Sequence, residues 1–176
     1  AAADQNAITV TNTDANTTTT LDLTDVKVNF ADVEDPDYNA IAVEAEAGKA
    51  VLNVNDGTEL NVVADWATPI FAGKNSEINV NGGEINVQNT LQNAYCVWGI
   101  YVTDSSAVIN ITDGVFNVTG VHSASGIYAY DNNITPTVNI SGGTISGGYA
   151  VNHGGNIAAW NTTLTISGTA LIEGGV

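Results

Sequence analysis

Arginine and methionine are absent from this 176-residue chain. Its cationic side chains are three lysines, Lys27, Lys49 and Lys74, against 19 acidic residues, for a formal charge of −16 at pH 7. So few cations cannot neutralise a phosphate backbone, which excludes nucleic acid as a partner. Anionic membrane surfaces are disfavoured for the same reason. Cys96 is the only cysteine, so no internal disulfide can form; it lies in the apolar run Tyr95-Cys96-Val97-Trp98 and reads as a buried, inert thiol. No apolar run approaches the roughly 18 residues needed to cross a bilayer, so membrane insertion is not expected. Without methionine, Ala1 is not a translation start. The opening Ala1-Ala2-Ala3 has the small-residue character left by signal-peptide cleavage, and an extracellular or cell-surface location is expected.

Charged residues make up only 12% of the chain, about half the usual share. The polar surface must therefore come from Asn, Thr, Ser and Gly. The acidity is concentrated: 13 of the 19 carboxylates fall between Asp4 and Asp65. Hydrophobic residues are 44%, ample for a core in a single domain spanning 1–176.

What is present in abundance is a repeat. Short apolar segments centred on Ile8, Ile41, Ile70, Ile100, Ile127 and Ile157 recur at spacings of 33, 29, 30, 27 and 30 residues. Each is followed by an alternating segment: Leu21-Asp22-Leu23, Leu52-Asn53-Val54, Ile78-Asn79-Val80, Ile109-Asn110-Ile111, Val138-Asn139-Ile140 and Leu164-Thr165-Ile166. A turn comes next, usually with glycine, as in Asp56-Gly57, Gly82-Gly83, Asp113-Gly114 and Gly142-Gly143. A third alternating segment closes the unit, as in Leu60-Asn61-Val62, Ile85-Asn86-Val87 and Phe116-Asn117-Val118.

Alternation with a period of two means strand, with one face buried. Three short strands cannot bury an apolar face alone, whereas stacked repeats can. The expected fold is all-β: a right-handed parallel β-helix of about six coils, three short strands per coil, roughly 30 Å tall at about 4.8 Å per rung. The competing architecture is an antiparallel sandwich or barrel, in which Asn81-Gly82 would be a hairpin turn. The same three-segment order recurring six times favours the β-helix.

Several features are candidates for binding. If each first-segment Ile points inward, its successor points outward, which sets Phe71, Tyr101 and Tyr128 in one exterior column, with Tyr130 two residues on. Aromatic faces of this kind pack on sugar rings or partner proteins, or simply on one another. The second segments give an outward column of Asp22, Asn53, Asn79, Asn110, Asn139 and Thr165, suited to hydrogen bonding along the stack. The loop Asp32-Val33-Glu34-Asp35-Pro36-Asp37 gathers Asp32, Glu34, Asp35 and Asp37, oxygen ligands of the kind calcium prefers, without the spacing of an EF-hand. No other cofactor is implied. The two histidines, His122 and His153, read as exposed loop residues.

The stretch Thr137-Val138-Asn139-Ile140-Ser141-Gly142-Gly143-Thr144-Ile145-Ser146-Gly147-Gly148, continued by Leu164-Thr165-Ile166-Ser167-Gly168, resembles the Gly-Gly-Thr-Ile-Ser-Gly repeats of secreted and surface-attached bacterial β-helix proteins. These belong to the broad pectin-lyase-like superfamily. The resemblance implies a β-helix in an extracellular setting. It does not choose between adhesins, which bind, and polysaccharide lyases or hydrolases, which cut. The lyase pattern needs a basic residue, typically arginine, beside calcium, and this chain has no arginine. The polygalacturonase-like set is matched only in the letters of Asn12-Thr13-Asp14. No Asp-Asp pair or Arg-x-Lys accompanies it, and His153 sits in Asn-His-Gly-Gly.

The expected function is accordingly a non-enzymatic, extracellular structural or adhesive module. Its alternatives are a carbohydrate-binding module on the aromatic column, and a lyase or glycoside hydrolase using a carboxylate pair assembled across coils, which leaves no motif. Expected partners are a glycan or a host or cell-surface protein. The residues reach Gly174-Gly175-Val176 within the sixth repeat, and an uncovered rung would bear unpaired backbone groups and an apolar cross-section, so two expectations stand side by side: the chain is part of a longer protein, or it self-associates through open β-helix ends. Head-to-tail stacking there would build a filament.

Overall fold

The computed structural model describes residues 6–31, 38–63, 67–89, 96–120, 123–129, 133–150 and 155–174. These residues are all-β, and the strands stack in parallel as a β-helix. The first face of the coil is formed by β1 (Ile8–Asn12), β4 (Tyr38–Ala45), β7 (Ala67–Ala72), β9 (Val97–Val102), β11 (Ser123–Ala129) and β15 (Ile157–Ala159). The register aligns Ile8, Ile41, Ile70, Ile100, Ile127 and Ile157 in a single column. The repeated Ile therefore anchors successive coils as the spacing predicts. The middle four are fully buried. Each such side chain contributes about 2–3 kcal/mol relative to exposure.

The second face comprises β2 (Thr18–Leu23), β5 (Lys49–Val54), the first half of β8 (Ser76–Gln88), the first half of β10 (Val108–Thr119), β12 (Thr137–Ile140) and β16 (Thr163–Ile166). The third comprises β3 (Lys27–Ala31), β6 (Glu59–Val63), the second halves of β8 and β10, β13 (Thr144–Ser146) and β17 (Leu171–Glu173). Six rungs per face leave five intervals, so the coil makes about five turns. A short β14 (Tyr149–Ala150) pairs antiparallel with the start of β11.

One detail departs from three separate strands per coil. In the third and fourth coils the second and third segments form one strand that runs through the corner, β8 and β10, with register shifts at Ile111/Asp113 and Asp113/Val115. The Gly82-Gly83 and Asp113-Gly114 pairs bend these strands instead of ending them. The corner glycines are required by contact as well as by conformation. Gly57 has φ +73°, and a Cβ there would come within 2.0 Å of Asp25 Oδ1; one on Gly82 would come equally close to Asp56 Oδ1. Aspartates of one coil thus lie over glycines of the next.

The interior is continuous from coil to coil and takes its widest side chain at Phe116. Gly99 and Gly126 line the opposite wall. A Cβ on Gly99 would meet Phe116 Cδ1 at 3.0 Å, and one on Gly126 would meet Ile145 Cγ2 at 2.4 Å. These glycines keep two walls within packing distance.

Candidate functional site

Phe71, Tyr101 and Tyr128 occupy one register column on the first face, each partly exposed. Phe71 and Tyr101 meet edge to face at 5.9 Å, and Tyr101 and Tyr128 lie 5.9 Å apart at 54°. The structure adds Trp98, which sits between the two tyrosines: 4.6 Å from Tyr101 and stacked on Tyr128 at 4.5 Å and 21°. Simple alternation counted back from Ile100 turns Trp98 inward. The buried pair Gly99-Ile100 interrupts that alternation and sends Trp98 to the outside with the tyrosines. Its indole Nε1 is buried and has no acceptor among the described residues. Ala42 and Ala158, in the same column above and below the rings, are buried. The rings therefore use much of their surface on one another, a contact worth about 0.5–1.5 kcal/mol per pair beyond burial.

The column of Asp22, Asn53, Asn79, Asn110, Asn139 and Thr165 is in register as the alternation predicts. Each Asn donates from Nδ2 to the residue one coil earlier: Asn53 to Asp22 (2.5 Å), Asn79 to Asn53 (2.9 Å), Asn110 to Asn79 (2.9 Å) and Asn139 to Asn110 (3.0 Å). Two further ladders share this polarity. On the third face Asn61 donates to Asn29, Asn86 to Asn61 and Asn117 to Asn86. At the corner Asn55 donates to Thr24, Asn81 to Asn55 and Thr112 to Asn81. The second ladder was legible in the repeated apolar-Asn-apolar triplets around Asn29, Asn61, Asn86 and Asn117, whereas the corner ladder follows no such triplet.

Carboxylate-bearing residues of different coils do come into register. Glu59 and Glu84 are register neighbours on the third face, next to the shallow corner lined by Asp56, Thr58 and Asp113. A glycosidase acid needs a carboxyl held protonated near neutrality. Glu59 is shifted the opposite way: hydrogen bonds from Lys27 and Asn61 and the lysine charge hold its carboxyl below the ordinary value. Glu77 is likewise lowered by Lys49, against the opposing effect of burial, with help from Asn79. Both lysines thus pair with glutamates of the next coil. Lys74 donates to the Glu46 carbonyl oxygen. Among the described residues no group of three or more His, Cys, Asp or Glu is arranged to hold a metal.

Asn12-Thr13-Asp14 forms a turn. The nearly buried Asn12 amide donates to the carbonyls of Thr17 and Lys49 and accepts from Asp14 N–H. Those residues thus pin the first coil to the second. Cys96 is only half-buried, which corrects the expectation of full burial; burial pushes its thiol up, against a lowering hydrogen bond with Ser123. Tyr130, the acidic loop residues Asp32, Glu34, Asp35 and Asp37, and both histidines lie outside the described residues. No protein-family model, curated protein or solved structure matches the chain.

Proposed function

We propose that this chain is a non-enzymatic, extracellular β-helix module with a structural or adhesive role, of the adhesin type among pectin-lyase-like proteins. The observation that carries the reading is the set of three hydrogen-bonded ladders, because the outward polar side chains of successive coils are engaged with one another. Such a surface stiffens a rod and holds few free polar groups for a substrate. Lowered rather than raised carboxyls at Glu59 and Glu77 point the same way. The test is incubation with polygalacturonate and a panel of related glycans, following new reducing ends and unsaturated products. A structural module yields neither. Turnover at ordinary enzyme rates, about 1 s⁻¹ or faster, would overturn the proposal.

A second reading, carbohydrate binding, is favoured by the partly exposed rings of Phe71, Tyr101 and Tyr128 in one column. On that reading the Tyr101→Ala/Tyr128→Ala double variant loses the signal of the parent on a glycan array. Binding that survives the double change would exclude the column as the site.

A further inference from the structure

Along the side of the stack, on its third face, two outward columns border a shallow groove of about 350 Å³, at the small end of ligand sites. One column is the ladder Asn61, Asn86 and Asn117; the other is Val63, Gln88 and Thr119. The groove crosses coils two to four, about 10 Å along the axis at the usual rung spacing. It is formed by β6 and the second arms of β8 and β10. Each of these pairs on both sides, so the floor has no strand edge.

The hydrogen-bonding groups of the groove are unevenly used. An Asn amide has two N–H donors, and the ladder takes one. In coils two and three a glutamate two residues earlier takes the other: Asn61 donates to Glu59 and Asn86 to Glu84, both at 3.4 Å. In coil four Val115 stands in that place, so the second N–H of Asn117 has no partner among the described residues. Gln88 and Thr119, neighbours in the register, are exposed, and their side chains make no hydrogen bond among the described residues. Val63 lies in the same column and is 40% exposed.

No lining residue is ionisable, in a chain of formal charge −16. An anionic ligand would lie beside Glu84 and be repelled. A cationic one would find its carboxylates in the next column, at Glu59 and Glu84, and not here. A peptide has no strand edge to extend and a single exposed apolar side chain to grip. Sugar hydroxyls both donate and accept, which suits two amides and a hydroxyl, and the C–H edge of a sugar ring suits Val63.

We infer that this groove binds a short stretch of uncharged polysaccharide running along the stack axis, with its hydroxyls on Gln88, Asn117 and Thr119 and a ring edge on Val63. The inference rests on the adhesive reading of the module and names its partner. It sets that partner on the third face, apart from the aromatic column.

The experiment titrates gluco-, manno- and xylo-oligosaccharides into the full chain by calorimetry, with oligogalacturonates beside them. At least one uncharged series binds and the uronates do not. Gln88→Ala/Thr119→Ala raises Kd about tenfold, for two lost hydrogen bonds, with an unchanged circular dichroism spectrum. Tyr101→Ala/Tyr128→Ala leaves Kd where it was. Val115→Gln carries the test if the first double variant fails to fold. It removes no lining residue, yet it gives Asn117 the acceptor that Glu59 and Glu84 give Asn61 and Asn86, and it raises Kd about fivefold. Three results would each overturn the inference: no binding of any uncharged series, equal binding of the uronates, or a Kd that moves only in the Tyr101/Tyr128 variant. None of them touches the non-enzymatic reading, which fails only if the oligosaccharides are recovered cleaved.

Discussion

At the scale of single residues, side chains are chosen here by what lies one coil away. Gly126 shows it: its missing side chain leaves the room that Ile145 Cγ2 occupies on the opposite wall. Gly126→Ala forces the two walls apart and is expected to cost about 1–3 kcal/mol, read as a fall in the urea midpoint. An unchanged midpoint would mean that Ile145 swings aside without loss. The Lys49–Glu77 pair makes a prediction about pH. Glu77 is lowered in the folded state from its ordinary value of 4.5, so the folded chain holds its proton less tightly than the unfolded chain. The stabilisation is present above pH 4.5 and disappears as pH falls through the folded-state value. Glu77→Gln should melt below the parent at pH 7, with a deficit below about 1 kcal/mol. The deficit should close at pH 3; a deficit that widens in acid would reverse the sign of the argument. At this scale the sequence was readable where alternation is strict, as at Asn53, Asn79 and Asn110. Trp98 was missed because two consecutive inward residues, Gly99 and Ile100, shift the phase by one.

At the scale of elements, stability is graded along the stack. In repeat architectures each unit is supported mainly by its two neighbours. β8 and β10 lie mid-stack and are buried on alternate positions along each arm, whereas every residue of β16 and β17 is exposed. Ile109→Ala should cost about 2–5 kcal/mol, because Ile78 and Val138 flank it and cannot both collapse into the space. Ile166→Ala, at a half-exposed position, should cost much less. Denaturant melts of both variants check the gradient, and equal losses would contradict it. The existence and order of the elements were legible because the three-segment phrase repeats. The fusion of segments into β8 and β10 was not, since a glycine pair that ends a strand and one that bends it are spelled alike.

At the scale of the whole molecule, the fold sorts its chemistry along one axis. Among the described residues the acidic side chains are denser in the first coils, the aromatic column and Asn ladders run along the sides, and the sixth rung is apolar with Glu173 as its one charge. The core, the ladders and the aromatic column all depend on successive coils lying parallel in this register. Paired cysteines in a Cys96→Ser background test it directly. Asn79 and Asn110 are register neighbours on adjacent coils, so Asn79→Cys/Asn110→Cys should oxidise to an intramolecular disulfide without loss of fold. Asn79 and Asn86 lie on the two arms of one bent strand, so Asn79→Cys/Asn86→Cys should stay reduced. An antiparallel hairpin at Gly82-Gly83 would bring Asn79 opposite Asn86, and the opposite pattern of cross-links would show that the coils are not stacked in parallel.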